Sequence, residues 1–274
     1  MSLQKINKYL RHDMFPHIWC PGCGNGIIMS SLLRAIDTLA LNPDKVVIVS
    51  GIGCSGRISG YLDFNTVHTT HGRALAYATG IKLANPELTV IVAMGDGDGS
   101  AIGGNHLIHA ARRNIDLTAI LFNNSIYGMT GGQFSPLTPF EKKASTAPYG
   151  NVDHPFDLTS LVKSAGASFV ARTTTFHVFN LQKYLERAIT KKGFSFVEVV
   201  TGCPTFYGRY NKVGEGLDMI KYQKAHSISY DKAKGMSEEE LEGKIVVGVF
   251  QDIEKPEYVS EYQKIIERES YEKG

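Results

Sequence analysis

Asp96, Asn124 and Ile126 offer three kinds of oxygen that a hard divalent cation takes: a carboxylate, a side-chain amide and a backbone carbonyl. Mg2+ prefers such oxygens in an octahedron and draws the remainder from phosphates and water, so the set suits a diphosphate held through a metal. Asp96 lies within Gly95-Asp96-Gly97-Asp98-Gly99, and glycines let a backbone approach phosphate oxygens closely. A second set of chemistry-bearing residues is Cys20, Cys23, Cys54 and Cys203, the only cysteines of the chain. Each stands beside Gly or Pro, in what reads as a loop. Four thiolates brought to one place can close around zinc or a [4Fe–4S] cluster; unpaired buried thiols are the third reading. One close pair and two distant singles differ from the two close pairs of common zinc fingers.

These residues need elements that bring them together. The apolar run Val90–Met94 stops at Gly95-Asp96-Gly97, as a buried strand does when it ends in a ligand-facing loop. About 25 residues follow, reading as a helix over 102–113 and a strand over 117–122 that ends at Asn123-Asn124. Both polar pieces then sit at the carboxyl ends of adjacent parallel strands, where open α/β sheets bind ligands. Cys54 follows a strand over 45–49 and Cys203 a strand over 194–200, which puts both on that same edge. Gly51-Ile52-Gly53-Cys54-Ser55-Gly56 satisfies the dinucleotide-binding glycine pattern. That reading fails: Gly60 interrupts the following helix, and no acidic residue ends the next strand, 66–70. Asp96-Gly97-Asp98-Gly99-Ser100 resembles the start of a calcium loop, but Ala101 and Leu107 occupy its glycine and glutamate positions.

Further helices are expected over 27–41, 74–83, 157–165 and 176–190, and a strand over 167–171. Such alternation means an α/β fold with a doubly wound, mainly parallel sheet. Residues 1–19 read as an arm, and 135–153 as a long irregular segment. From residue 205 the pattern weakens, leaving a strand over 244–250 and a helix over 257–268. The expected organisation is a cofactor-binding domain, 1–204, and a C-terminal extension, 205–274, packed on the core or a partner.

Composition removes other classes. The 274 residues are 43% hydrophobic and 20% charged, as in an ordinary globular protein, and the formal charge of +2 gives no basic footprint for nucleic acid. No apolar run approaches membrane-span length, and no secretory signal is expected. A cytoplasmic location is expected, where cysteines serve metal or redox chemistry rather than disulfides.

Gly-Asp-Gly followed at this distance by Asn-Asn resembles the thiamine diphosphate motif. Together with four cysteines it is similar to the β subunits of 2-oxoacid:ferredoxin oxidoreductases, over most of the chain. The motifs are Trp19-Cys20-Pro21-Gly22-Cys23-Gly24, Gly53-Cys54-Ser55-Gly56-Arg57, His71-Gly72-Arg73-Ala74-Leu75, Gly95-Asp96-Gly97-Asp98, Asn124 to Gln133, and Cys203-Pro204-Thr205. The last, continued through Lys212, looks most like the 2-oxoglutarate-using type. The resemblance implies a [4Fe–4S] cluster on Cys20, Cys23, Cys54 and Cys203, and Mg2+ on Asp96, Asn124 and the Ile126 carbonyl. It places Ile52, Gly53, Cys54, Ser55, Met129 and Thr130 along thiamine diphosphate beside the Gly95–Asp98 loop, with Met129 against the thiazolium and His71 lining the site. The implied activity is coenzyme A-dependent oxidative decarboxylation of a 2-oxoacid, with electrons passing to ferredoxin. Thiamine enzymes also need a glutamate at the aminopyrimidine, and no glutamate here has a fitting strand-end context; the family takes it from the α subunit. For a dicarboxylate substrate, Arg57, Arg73 or Arg209 could supply a second cation. Pyruvate or branched-chain 2-oxoacids remain alternatives, as do a non-oxidative thiamine-dependent decarboxylase or carboligase and a zinc-stabilised subunit.

Overall fold

A computed structural model describes residues 5–271. Eight strands form one sheet in the order β2-β1-β3-β4-β6-β5-β8-β7. They are β1 (Val46–Ser50), β2 (Asn65–His68), β3 (Thr89–Gly95), β4 (Thr118–Asn123), β5 (Phe169–Thr174), β6 (Ser195–Val200), β7 (Ser227–Ser229) and β8 (Ile245–Asp252). The first six run parallel, and β8 pairs antiparallel with β5. The sheet is therefore doubly wound and mainly parallel, as the alternation of elements predicts. Segments after residue 204 extend it through β8 and β7.

Two apolar layers sandwich the sheet. On one face Val46, Ile48, Ile91, Ala93, Ile120 and Val197 meet Leu32, Leu33 and Ile36 of α1 (Asn25–Thr38) and Leu181 and Leu185 of α7 (Val178–Thr190). On the other, Val47, Val49, Val92, Ala119 and Leu121 meet Ala74 and Ala78 of α3 (Ala74–Ala84), Leu107 and Ala111 of α5 (Gly104–Arg112), and Val162 of α6 (Leu158–Ala165). Burial on both faces explains why β1 and β4 are apolar runs rather than alternating ones. Among the described residues no helix is long and apolar enough to cross a membrane.

Most elements lie within a few residues of their expected limits, with two departures. The helix expected over 102–113 starts at Gly104, and a separate turn, α4 (Asp96–Ser100), precedes it. Ala101 breaks the two apart with φ −94° and ψ −98°, and the following Gly103-Gly104 pair is a poor helix interior. After Cys54 the chain winds into a single turn, α2 (Ile58–Tyr61), which agrees with the expectation that Gly60 interrupts any longer helix there. β5 continues to Thr174 instead of ending at Ala171, because Arg172 lies directly across from Glu198 on β6.

That cross-strand pair belongs to a polar tie at the carboxyl end of the sheet. Arg172 Nε donates to Glu198 Oε2 at 2.7 Å, and Nη2 donates to Asp157 Oδ1 at 2.7 Å. Glu198 Oε1 accepts from Asn123 Nδ2 at 2.7 Å. Burial alone would raise the Asp157 pKa, but the Arg172 charge and the Ser160 and Thr159 hydrogen bonds outweigh it and hold the carboxyl down at about 2.

Arg172→Ala should strand the buried Glu198 carboxylate and cost about 3–5 kcal/mol, read as a lower denaturant midpoint. Asp157 is half exposed and adds little. Its share of the stability is present above the ordinary aspartate pKa and lost as pH falls through about 2. The gap between parent and variant should therefore narrow on acidification.

Candidate active site

β3 delivers Asp96, and β4 delivers Asn124, to adjacent positions on the carboxyl edge. Both line one cavity with Ile126 and with Ile52, Gly53, Cys54, Ser55, His71, Gly95, Gly97, Asp98, Met129 and Thr130. The sequence-derived cofactor residues thus converge on a single space. Asn25, Phe122, Tyr127 and Gly128 line it too and were not expected.

Asp96 is 4% exposed. Ser135 Oγ donates to its Oδ2 at 2.6 Å. Burial raises its pKa to about 7, against the pull of Ser135 and the backbone N–H groups of Gly97, Asp96 and Ile126. Asn124 Oδ1 accepts from the Ile126 N–H at 3.3 Å, folding the loop into an Asx turn. Ser125 takes φ +61° to complete it. The resulting donor set is a carboxylate, an amide oxygen and a nearby carbonyl, which is Mg2+ chemistry.

Asp98 faces a different task. Its Oδ1 accepts from the Gly72 N–H at 2.6 Å, from His71 Nδ1 at 2.9 Å and from the Ile52 N–H at 3.3 Å. One carboxylate therefore joins the loops after β1, β2 and β3. With Nδ1 donating to Asp98, the His71 ring presents Nε2 as its free nitrogen. Met129 is exposed at the rim, and the Thr130 hydroxyl donates to Gln133 Oε1 at 2.5 Å. Arg57, Arg73 and Arg209 do not line this cavity. Arg73 bonds His106, and Arg209 lies over the Phe206 and Tyr210 rings.

The four cysteines line a second cavity, beside Ile18, Trp19, Pro204, Thr205 and Phe206. Trp19 Nε1 donates to the Cys54 carbonyl at 2.7 Å, tying the Cys20–Cys23 loop to the β1 loop. A Cβ built on Gly128 would stand 3.4 Å from Cys54 Sγ and 3.8 Å from Cys203 Sγ, which places this glycine between the two thiols. Gly22, at φ +78°, touches Gly216 of α8 (Gly216–His226): a Cβ on Gly22 would stand 2.9 Å from the Gly216 Cα. Burial pushes the Cys23 thiol up to about 12 and Cys54 to about 11, and neighbouring cysteines add to both. Among the described residues, no three His, Cys, Asp or Glu side chains gather as a single-ion site.

Some of the missed residues had a faint sequence signal. Tyr127 directly follows the Asn-Asn turn, and its ring fills the space above Gly97. Ser135 had none, since it lies in a segment without periodicity.

A sheet edge with these donors defines a thiamine-diphosphate-binding enzyme domain. The family description "Thiamine pyrophosphate enzyme, C-terminal TPP binding domain" matches residues 51–199. The chain is 58% identical to the 2-oxoglutarate synthase subunit KorB of Methanocaldococcus jannaschii, covering 95% of this chain and 97% of that one. It is 53% identical to the subunit of the same name from Archaeoglobus fulgidus, over 95% and 92% of the two chains. A solved structure, 2-oxoglutarate:ferredoxin oxidoreductase from Magnetococcus marinus with 2-oxoglutarate, coenzyme A and succinyl-CoA bound, superposes with a TM-score of 0.87. It shares 33% identity and covers 98% of this chain and 92% of that one. The chain belongs to the KorB family of β subunits of 2-oxoacid:ferredoxin oxidoreductases.

Gly97→Ala puts a Cβ 1.8 Å from the Tyr127 ring. Overpacking of that kind destabilises the fold by about 1–3 kcal/mol, read as a lower denaturant midpoint. Because Gly97 and Tyr127 both line the cavity, titration of cofactor-free protein should also show weaker thiamine diphosphate binding.

Proposed function

We propose that this chain, joined to an α subunit, catalyses coenzyme A-dependent oxidative decarboxylation of 2-oxoglutarate and passes the electrons to ferredoxin. The observation that carries this reading is a shared wall: Cys54, Asn124, Gly128 and Met129 line both the metal–diphosphate cavity and the four-cysteine cavity. A decarboxylase without redox chemistry needs no thiol centre there.

The donor sets fit the two groups. Asp96, Asn124 and the Ile126 carbonyl would hold Mg2+, and the Gly53–Ser55 and Gly95–Asp98 loops would line thiamine diphosphate. Cys20, Cys23, Cys54 and Cys203 would hold a [4Fe–4S] cluster. Four thiols that line one cavity can close around such a cluster. Bound thiamine diphosphate supplies an electron sink for decarboxylation, and an iron–sulfur cluster supplies one-electron transfer. The chain's residues provide placement and exclusion of water. Asp98 fixes the loops and orients His71, whose Nε2 can hold or move a proton at the reacting end. Met129 and Ile52 give the rim apolar surface. No glutamate lines the cavity among the described residues, which supports an activating carboxylate from the α subunit. The substrate assignment follows the names of the relatives and the ligands of the solved neighbour. A cytoplasmic location accords with four free thiols.

The test is anaerobic co-purification with the α subunit, followed by iron, sulfide and thiamine assays per chain. About four irons, four sulfides and one thiamine are expected, with 2-oxoglutarate- and coenzyme A-dependent dye reduction. Asp96→Ala should empty the thiamine site and leave iron in place; Cys203→Ser should do the reverse. Thiamine without iron in strictly anaerobic material would overturn the redox reading.

A further inference from the structure

The segment between Phe134 and Asp157 has little regular structure, yet its polar side chains reach both metal-ligand loops. Ser135 Oγ donates to Asp96 Oδ2 at 2.6 Å, and Thr138 Oγ1 donates to the Ser125 carbonyl at 2.7 Å. The two hydroxyls are also tied to each other's neighbourhood. The Ser135 N–H donates to Thr138 Oγ1 at 2.8 Å, and the Leu137 N–H donates to Ser135 Oγ at 3.2 Å. Ser135 is 1% exposed and Thr138 0%. Asn151 Nδ2 donates to the Thr138 carbonyl at 2.9 Å, holding the far arm of the segment against this turn. Leu137 anchors the turn in the apolar layer beneath the sheet, and Ala144 packs with Ile126 and Cys203.

We propose that Ser135 and Thr138 are positioning residues for the metal, forming a strap that sets the affinity for Mg2+ and so for the diphosphate. This rests on the thiamine–Mg2+ reading of the cavity. Ser135 engages Oδ2 of Asp96, so the carboxylate cannot rotate to present its oxygens differently to a cation without losing that bond. Thr138 takes the Ser125 carbonyl, which fixes the turn between Asn124 and the Ile126 carbonyl. Two ligands from different strands are thus held at a set separation by one short turn of a third segment. Holding a ligand through an outer hydrogen bond is worth roughly 10- to 100-fold in metal affinity.

The test uses the αβ complex stripped of thiamine diphosphate and divalent metal. Mg2+ is titrated at fixed, saturating thiamine diphosphate, and bound cofactor is read after rapid ultrafiltration. Ser135→Ala should need roughly 10-fold or more Mg2+ for half-occupancy, with iron and sulfide per chain unchanged. Ser135→Thr retains a hydroxyl and should recover most of the loss. If Ser135→Ala does not yield a soluble complex, Ser135→Cys, of similar size but a weak donor, should show the same direction of change. Thr138→Val should also raise the Mg2+ requirement, through the Asn124 loop. Parent-like half-occupancy in Ser135→Ala, or in Ser135→Cys where that variant stands in, would overturn the strap while leaving the thiamine reading intact. A parent complex that retains no thiamine diphosphate at any Mg2+ concentration would overturn both.

Discussion

A carboxylate buried at the dry end of a parallel strand is the constraint around which this structure is arranged. Asp96 sits where β3 leaves the core, is almost fully buried, and has no cationic side chain among the residues lining its cavity. An ionised carboxylate in such surroundings is costly unless it is hydrogen-bonded or paired with a metal. The chain answers with neutral donors: the Ser135 hydroxyl and the backbone N–H groups of Gly97 and Ile126. These moderate the cost but leave the pKa raised. A divalent metal bound there would resolve the conflict and could also neutralise and position a diphosphate.

The same edge carries a second unsatisfied chemistry. Three of the four thiols have pKa values raised by burial, so in the metal-free chain they resist becoming thiolates. Only a strongly bound cationic centre would hold all four deprotonated. The two demands meet at Cys54. It follows β1, its carbonyl is held by Trp19, and it borders both cavities. The apolar cluster of Ile126, Ala144 and Cys203 adds a packing link between the metal loop and the thiol cavity. A shift of either loop is therefore felt at the other, because close-packed side chains have no slack to absorb it.

Much of this was legible in the sequence, for a plain reason. Asp96, Asn124, Cys54 and Cys203 each terminate or follow an apolar, β-branched run, so strand direction alone assigns them to one edge. The sheet's parallel character followed from the same runs. What stayed hidden depends on tertiary path. Ser135 and Thr138 lie in a segment with no hydrophobic period, and their partners are fixed only once the segment folds back over the strands. The strand expected over 167–171 stops short of Arg172, whose partner Glu198 sits on a neighbouring strand that no local pattern reveals. Tyr127 lay within a quoted motif and Asn25 directly after one, but their contribution to the cavity wall is a matter of side-chain direction.

Gly22 and Gly216 meet backbone to backbone, one in the cysteine loop and the other at the start of α8. Seen as heredity rather than geometry, they behave as a single locus. Replacing either one forces a side chain into the other's main chain, and no substitution at the second position can relieve it, since glycine is already the smallest residue. Drift at one glycine is therefore blocked by the other, although 194 residues separate them along the chain, the difference of their positions. The C-terminal segment and the thiol-bearing loop are in this way under one steric constraint.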